Sequence, residues 1–274
     1  MNIIIENSQQ DQRGNSKENI FIATQDGKYL GHAYAWAYEN HHTAYERPWN
    51  VYFEVNPEPQ GDAALRQAVR DGLYDRVYAR SVELRAARPE LPARVYTSAQ
   101  TEDVLAFFVR KGLRGDDAIA LMEGPVPAAE PAPLPCGHAL AACDMDDPAQ
   151  LEAYRQAHGS IFVTPLNDEE FQQHSRMPHF SAFRLVCNGE TLAWAQVFQR
   201  DGAGHVETIF VTDSARGRGV GRMMLSHMLR LFRDWGCQRT TLEVWLRNRR
   251  AVRLYESFGY QNKKVELYFP GIDL

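Results

Sequence analysis

The feature that most constrains this chain is a cluster of prolines near its middle. Five of the 14 prolines fall between Pro125 and Pro135. Proline fixes its own backbone angle and donates no backbone hydrogen bond, so this stretch is expected to form neither a helix nor a sheet ladder. We therefore predict a stiff, extended linker over residues 124–138, between a first domain at 1–123 and a second domain at 139–274.

Size and composition agree with two globular domains. The chain has 274 residues, of which 44% are hydrophobic and 24% charged, and one domain usually takes about 100–200 residues. The sequence shows no apolar run long enough to span a membrane and no pattern of a secretory leader. We therefore expect a soluble, cytoplasmic protein without a membrane partner. The net charge of −5 argues against a nucleic-acid partner.

Cysteines and histidines show no metal-binding spacing. The four cysteines at 136, 143, 187 and 237 contain no C-x-x-C pair and are expected to be reduced structural thiols. The histidines lack spacings such as H-E-x-x-H, so we expect them on the surface and predict no metal; those considered are His158, His174, His179 and the pair His41-His42.

Two halves of the chain repeat one order of elements. In the second half, helices are predicted at 147–158, 168–174, 220–235 and 250–258, and strands at 183–187, 191–198, 205–211, 240–245 and 264–269. In the first half, strands are predicted at 19–23, 29–36, 50–55, 93–97 and 118–122, and helices at 62–85 and 102–111. The dipeptides Asp26-Gly27 and Asn188-Gly189 predict tight hairpins at matching places. This repetition indicates a duplication.

A glycine-rich turn, Arg216-Gly-Arg-Gly-Val-Gly221, stands between a predicted strand and a predicted helix. Glycines there let backbone N–H groups approach an anion closely, and the helix start adds partial positive charge. Arg216, Arg218 and Arg222 add charge at the same place. The turn therefore predicts a pyrophosphate site, although a basic turn without a ligand is the simpler alternative.

Two other phosphate motifs do not fit this turn. A P-loop needs Lys followed by Ser or Thr after its last glycine, whereas Gly221 is followed by Arg222 and Met223. A dinucleotide fingerprint needs G-x-G-x-x-G, whereas the glycines here are spaced G-x-G-x-G.

Two motifs in order resemble the GCN5-related N-acetyltransferases. The first is the turn from Arg216 to Gly221, which follows the strand ending at Val211; the second is Asn248-x2-Ala251-x3-Tyr255-x3-Gly259-Tyr260. The resemblance covers residues 144–269. It implies two tandem domains of α/β (α+β) class, each a mixed, mostly antiparallel twisted sheet flanked by helices.

The first half matches these motifs weakly. Its corresponding turn runs from Pro57 to Leu65; it keeps Gln60 and Gly61 but lacks the later glycines and the arginine cluster. We predict a degenerate repeat of the same fold, for which tandem members of the family offer a precedent, and expect acetyl-CoA to be held in the second half.

The resemblance implies acetyl-CoA as the acetyl donor and assigns residues to it. Backbone groups of Phe210 and Val211 would pair with the pantetheine arm. The pyrophosphate would lie on the turn formed by Arg216, Gly217, Arg218, Gly219, Val220, Gly221 and Arg222. Asn248 would contact the cofactor or cap the next helix, and both roles are compatible.

The same resemblance names two candidate catalytic residues. Tyr255 would protonate the departing thiolate, with core packing as the alternative. Glu207 would take a proton from the amine, helped by a pKa raised by burial, with an exposed or ion-paired strand residue as the alternative. A backbone N–H near Ile209 or Phe210 would stabilise the oxyanion.

The implied function is transfer of an acetyl group to a primary amine, by a monomer or a homodimer. The acceptor stays open between an antibiotic, a polyamine, an amino acid, a peptide terminus and a ribosomal protein. A non-catalytic CoA-binding or protein-interaction module is the alternative function.

Overall fold

The computed structural model describes residues 2–12, 14–40, 47–58, 62–162 and 166–274. The chain divides into two compact units. The first comprises residues 1–118 together with 267–274, and the second comprises residues 119–266. His41, His42, Gln60 and Gly61, which the sequence analysis singled out, lie outside the described residues.

A six-stranded sheet forms the first unit, in the order β1-β2-β3-β4-β5-β13. Its elements are β1 (Ile4–Asn7), β2 (Ile20–Gln25), β3 (Lys28–Glu39), β4 (Trp49–Pro57), α1 (Ala63–Arg85), β5 (Ala93–Tyr96), α2 (Glu102–Arg110) and β13 (Gly271–Asp273). Strands β4 and β5 are parallel, and the pairs β1–β2, β2–β3, β3–β4 and β5–β13 are antiparallel. The core lies where buried Leu73 and Val77 of α1 pack with Phe53 of β4.

A seven-stranded sheet forms the second unit, in the order β12-β6-β11-β10-β9-β8-β7. Its strands are β6 (Ala118–Pro125), β7 (His138–Cys143), β8 (Ser181–Cys187), β9 (Glu190–Arg200), β10 (Ala203–Val211), β11 (Arg239–Trp245) and β12 (Gln261–Tyr268). Its helices are α3 (Pro148–Ile161), α4 (Asp168–Ser175), α5 (Val220–Asp234) and α6 (Arg249–Glu256). Strands β10 and β11 are parallel. The predicted fold class, two mixed and mainly antiparallel sheets with flanking helices, is confirmed.

The sheets exchange strands between the two halves of the chain. Strand β6 comes from the first half but pairs with β11 from Ile119 to Pro125, and the C-terminal strand β13 pairs with β5. The division of the chain therefore falls at Ala118 and not at the proline-rich stretch. The predicted linker also begins inside β6, because Gly124 and Pro125 still stand opposite Thr240 and Arg239.

Most predicted elements occur within a few residues of their predicted bounds. Asp26 and Asn188 have φ of 50° and are followed by Gly27 and Gly189 with positive φ, as a type I′ hairpin requires. The apolar face predicted for α5 is buried at Val220, Met224 and Met228 and partly buried at Leu231 and Trp235. Strands β1, β7 and β13 were not predicted, because each is short and lacks a strong alternation of apolar residues.

Candidate active site

The glycine-rich turn leads directly into α5. Gly217 and Gly219 have φ of 77° and 76°, a left-handed conformation that residues with side chains rarely adopt. Gly219 is the N-cap of α5, and the N–H of Met223 donates to the Gly219 carbonyl at 3.0 Å. The N–H groups of Val220, Gly221 and Arg222 precede this first helical bond and have no carbonyl partner inside the helix.

Helix α5 differs from the other α-helices of the described residues in its N-cap. A side-chain oxygen accepts a hydrogen bond from the first turn of each of the other five; these oxygens belong to Asp62, Thr101, Asp147, Asn167 and Asn248. Gly219 provides no such oxygen. The first-turn amides of α5 can therefore bind an external anion, which the helix dipole also favours.

The three arginines of the turn are placed differently. The Arg216 guanidinium forms an ion pair with Asp213 at 2.7 Å. The Arg222 guanidinium donates to Ser257 Oγ at 2.7 Å and lies over the Phe258 ring. Arg218 is exposed. A cavity of about 710 Å³ is lined by Arg218, Arg222 and residues of the β8–β9 hairpin, so two of the three arginines border space that a ligand could occupy.

Three elements converge at the start of α5. A Cβ placed on Gly221 would lie 3.4 Å from Leu254 Cδ2 and 3.7 Å from Val211 Cγ2. The first turn of α5 therefore packs on the end of β10 and on α6, one residue before Tyr255. This arrangement brings both sequence motifs to one place.

Strands β10 and β11 separate before β10 reaches the start of α5. They pair only from Gly204 to Val206, opposite Thr240 to Leu242, although β10 continues along β9 to Val211 and β11 continues along β6 to Trp245. Beyond Val206, the edge of β10 that faces β11 forms no ladder with that strand, and all residues of both strands are described. Phe210 is buried and Val211 half-buried, so their side chains pack while their backbone lies in the open part of β10.

Glu207 lies at a β-bulge where the two strands begin to separate. In the register with β9, Val206 stands opposite Val197 and Thr208 stands opposite Gln196, which leaves Glu207 as the extra residue. A bulge bends its strand and redirects a side chain. The Glu207 side chain is 23% exposed.

Two histidines contact the Glu207 carboxylate. His174 Nδ1 lies 3.3 Å from Oε1, and His205 Nε2 lies 3.5 Å from Oε2. Burial acts to raise the pKa of Glu207, but the hydrogen bond from His205 and the nearby positive groups outweigh it, so the pKa lies below its ordinary value. The expectation of a pKa raised by burial was wrong, because sequence spacing does not show these partners.

His205 was missed in the sequence analysis. Its side chain is 2% exposed, and its Nδ1 lies 2.9 Å from Thr241 Oγ1 on β11. The available signal was its position two residues before Glu207 on one strand.

The histidines expected on the surface divide into two groups. His179 is exposed and stacks on Trp235. His174 and His158 are half-buried, and burial lowers the pKa of His158. The surface expectation was therefore wrong for His158 and His174, because α3 and α4 pack their histidines toward Phe210 and Phe198 respectively.

Among the described residues, Glu170, His174 and Glu207 form a group that could ligate a metal ion. One potential ligand atom from each residue lies within 4.8 Å of the other two. This group contains the nitrogen and oxygen donors that zinc accepts.

Tyr255 and Asn248 both lie on or beside α6. Tyr255 is 6% exposed within the apolar core, and burial raises the pKa of its phenol. Its ring lies 5.9 Å from that of Tyr260. Asn248 Oδ1 accepts a hydrogen bond from the N–H of Ala251 at 3.1 Å, so it caps α6.

Comparison with known proteins agrees with this geometry. The model of the acetyltransferase (GNAT) family matches residues 148–260, from α3 to the end of the second motif. This segment is similar to GNAT acetyltransferase domains. The similarity supports an acyltransferase.

Relatives extend the similarity to most of the chain. A mycothiol acetyltransferase of Thermomonospora curvata is 25% identical over 240 residues, which are 80% of this chain and 77% of the relative. A [ribosomal protein bS18]-alanine N-acetyltransferase of Escherichia coli is 26% identical over 129 residues, 47% of this chain and 84% of the relative.

Solved structures share the fold. A GCN5-related N-acetyltransferase from Sphaerobacter thermophilus superposes with a TM-score of 0.52 at 16% identity, over 99% of this chain and 95% of its own. A probable N-acyltransferase of Enterococcus faecalis gives a TM-score of 0.57 at 7% identity, over 99% and 72%. No helix of the described residues combines the length and apolar character needed to cross a membrane.

Proposed function

We propose that this GNAT protein transfers the acetyl group of acetyl-CoA to a primary amine. The observation that carries the proposal is the start of α5, where the left-handed Gly219, Arg218 and the first-turn residues Val220 and Arg222 border one cavity. These groups are complementary to a pyrophosphate. The charge-assisted contact from Arg218 would contribute about 1.5–3 kcal/mol.

The open edge of β10 fits the next part of acetyl-CoA. Backbone N–H and C=O groups of Phe210 and Val211 would pair with the amides of the pantetheine arm, as in the addition of a strand to a sheet. The arm would then run from the turn toward Glu207 between the separating strands. Asn248 would maintain the start of α6 beside it.

Acetyl transfer requires one bond to form and one to break. The neutral amine nitrogen attacks the thioester carbonyl, and a backbone N–H near Ile209 or Phe210 stabilises the negative charge on the carbonyl oxygen. The C–S bond then breaks, and Tyr255 donates a hydrogen bond and finally its proton to the sulfur. The added nitrogen loses its second proton as the carbonyl re-forms, and this proton, passed through solvent, converts the Tyr255 phenolate back to a phenol. A pKa raised by burial keeps this phenol neutral, and therefore a donor, until negative charge develops beside it.

The amine must lose a proton for the reaction to proceed, because an ammonium group has no free electron pair. The ionisable groups around Glu207 are placed where the strands separate, and we assign the removal of this proton to them. The relatives are named for a small-molecule and a protein acceptor, so both classes are candidate acceptors.

The experiment is a measurement of free thiol released from acetyl-CoA with a panel of polyamines, amino acids and peptides beginning with alanine. We expect amine-dependent thiol release together with acetylated amine in the mass spectrum. CoA binding without thiol release for any amine would instead favour the non-catalytic CoA-binding module.

A further inference from the structure

We propose that Glu170, His174 and Glu207 form a binding site for a zinc ion, and that zinc bound there inhibits acetyl transfer. Binding of the ion is independent of the proposed function, and only the inhibition rests on it. In the part of the chain that the structure describes, this is the one group of histidine, cysteine, aspartate and glutamate side chains close enough to hold a metal ion.

The distance between two of the ligand atoms fits one zinc ion. His174 Nδ1 lies 3.3 Å from Glu207 Oε1. Zinc binds histidine nitrogen and carboxylate oxygen at about 2.0–2.2 Å in a tetrahedral arrangement, which places two ligand atoms about 3.3–3.6 Å apart. A zinc ion can therefore bind both atoms without a change in their separation.

The third ligand comes from the same helix as the histidine. Glu170 and His174 stand four residues apart on α4, so they lie one turn apart on one face of that helix. All three ligand atoms lie within 4.8 Å of one another, and Glu170 is exposed. Rotation of this exposed side chain suffices to bring its carboxylate to the distance that a shared ion requires.

The other two ligands are held by the fold. The His174 ring packs against the Phe198 ring with centroids 5.1 Å apart, and Glu207 is the extra residue in the β-bulge of β10. Their side chains are 18% and 23% exposed. A cation is attracted more strongly to a carboxylate where water is partly excluded, so this place differs from the solvated acidic groups of a helix surface.

A further pair of contacts orients the Glu207 carboxylate. His205 Nε2 lies 3.5 Å from Oε2, and His205 Nδ1 lies 2.9 Å from Thr241 Oγ1. The His205 side chain is buried between the strands and cannot follow the carboxylate into solvent. Side chains that hold a ligand from behind in this way are typical of metal sites. Oε2 is therefore held by His205 while Oε1 faces His174.

The charge of the three ligands also suits a divalent cation. Two carboxylates carry two negative charges, which one Zn²⁺ ion neutralises, and a neutral imidazole adds none. Arg200 is a positive group that acts on Glu207. Its guanidinium lies 3.5 Å from the Glu243 carboxylate, so its charge is partly compensated.

Zinc at this site would interfere with the amine. Three protein ligands leave one position of a tetrahedral ion for water or another small ligand. In the proposed reaction the amine loses its proton at the groups around Glu207, and a zinc ion would occupy the electron pairs of those groups. We therefore expect zinc to compete with the amine and not with acetyl-CoA, because the glycine-rich turn supplies none of the three ligands.

The first test measures binding without turnover. The whole chain, freed of metal with a chelator, is titrated with zinc chloride by isothermal titration calorimetry in the absence of CoA and amine. We expect one zinc ion per chain, and binding weakened by more than about tenfold in both His174→Ala and Glu170→Gln, because each variant lacks one ligand. Glu170 is exposed, so the second variant decides the matter if His174→Ala does not fold.

Two control variants address other zinc ligands. His179→Ala removes an exposed histidine, and Cys136→Ser removes an exposed thiol. Both should bind zinc as the wild type does. Absence of zinc binding by the folded wild type, or equal binding by the wild type and Glu170→Gln, would overturn the proposal.

The second test measures the acetylated amine by mass spectrometry, because zinc also binds the free thiol of CoA. Zinc should raise the apparent KM for the amine, leave CoA affinity unchanged and lose its effect in Glu170→Gln, with each protein compared with its own rate in chelator. An unaltered wild-type rate with zinc bound would overturn the inhibition. Failure of every amine to be acetylated in chelator alone would contradict the proposed function, and the zinc titration would still decide the site.

Discussion

The Asp62 carboxylate accepts a hydrogen bond from the backbone N–H of Leu65 at 3.2 Å. This contact occupies the start of α1, the helix that corresponds in the first half to α5. A carboxylate bound there repels a phosphate and competes for the same amides. The glycine cap of α5 carries no such group, and the two helix starts therefore differ in what they can bind.

We expect one CoA per chain. Isothermal titration calorimetry should give a stoichiometry near one, and Arg218→Glu should weaken binding by more than about tenfold, because a charge-assisted phosphate contact is lost and a repulsive charge is added. Arg110→Glu, an exposed charge reversal on α2, is the control and should bind normally. Two equivalent sites would contradict the degenerate repeat.

Tyr255→Phe should slow acetyl transfer without unfolding the protein. The ring stays in the core while the proton donor is removed, so we expect kcat and kcat/KM to fall together by about 10²-fold, with CoA affinity and Tm nearly unchanged. Tyr260→Phe is the matched comparison, because the Tyr260 hydroxyl forms a buried hydrogen bond with Thr240 at 2.8 Å. That variant should lower Tm and leave the rate largely intact; identical behaviour of the two would remove the catalytic assignment.

Glu207 should couple stability to acidic pH. Its pKa in the folded state is depressed from an ordinary value of 4.5, so the ionised carboxylate stabilises the fold above that value, and this contribution is lost as pH falls through the folded-state pKa. Denaturant unfolding of wild type and Glu207→Gln between pH 7 and pH 3 should therefore converge at the acidic end. A constant difference across this range would mean that the Glu207 pKa is not depressed.

The same substitution should reduce turnover. In Glu207→Gln an amide that cannot accept a proton near neutral pH replaces the carboxylate, so we expect kcat/KM to fall by about 10²-fold at neutral pH, with little change in CoA affinity. Steady-state rates from pH 5 to pH 9 measure this effect. Unchanged rates would place proton removal elsewhere.

Gly204→Ala should destabilise the second unit. A Cβ on Gly204 would lie 2.2 Å from Cγ of the fully buried Phe232. Helix α5, which carries Phe232, must then shift away from β10, and we expect the free energy of unfolding to fall by about 1–3 kcal/mol. Gly159→Ala in α3 is the control; nothing lies within 4 Å of its added Cβ, and helix propensity predicts a stabilisation of about 0.5–1 kcal/mol. Equal Tm values for the two variants would contradict the packing argument.

Local sequence signals were sufficient to predict most of the fold. The hairpins at Asp26-Gly27 and Asn188-Gly189, the glycine-rich turn and the apolar face of α5 all depend on neighbouring residues. Each of these features therefore occurs at the residues whose local pattern predicted it. The position of β13 beside β5 depends on residues about 175 positions apart and carries no local signal.

The surroundings of Glu207 show why the site was only partly predicted. The motifs indicated the residue, but its partners depend on the bulge in β10 and on the packing of α4 against the sheet. His174 precedes Glu207 by 33 positions, and no motif links them. The direction of the pKa shift followed from those partners and not from burial alone.

The exchange of β6 and β13 makes the two halves of this duplicated chain depend on each other. Cutting the gene at the proline-rich stretch would leave residues 139–274 without the strand that lies between β11 and β12, and residues 1–123 without the strand beside β5. Each fragment would then present unpaired strand edges, which favour aggregation. The first half can therefore lack a ligand site and still be required for the strand pairing of the second half.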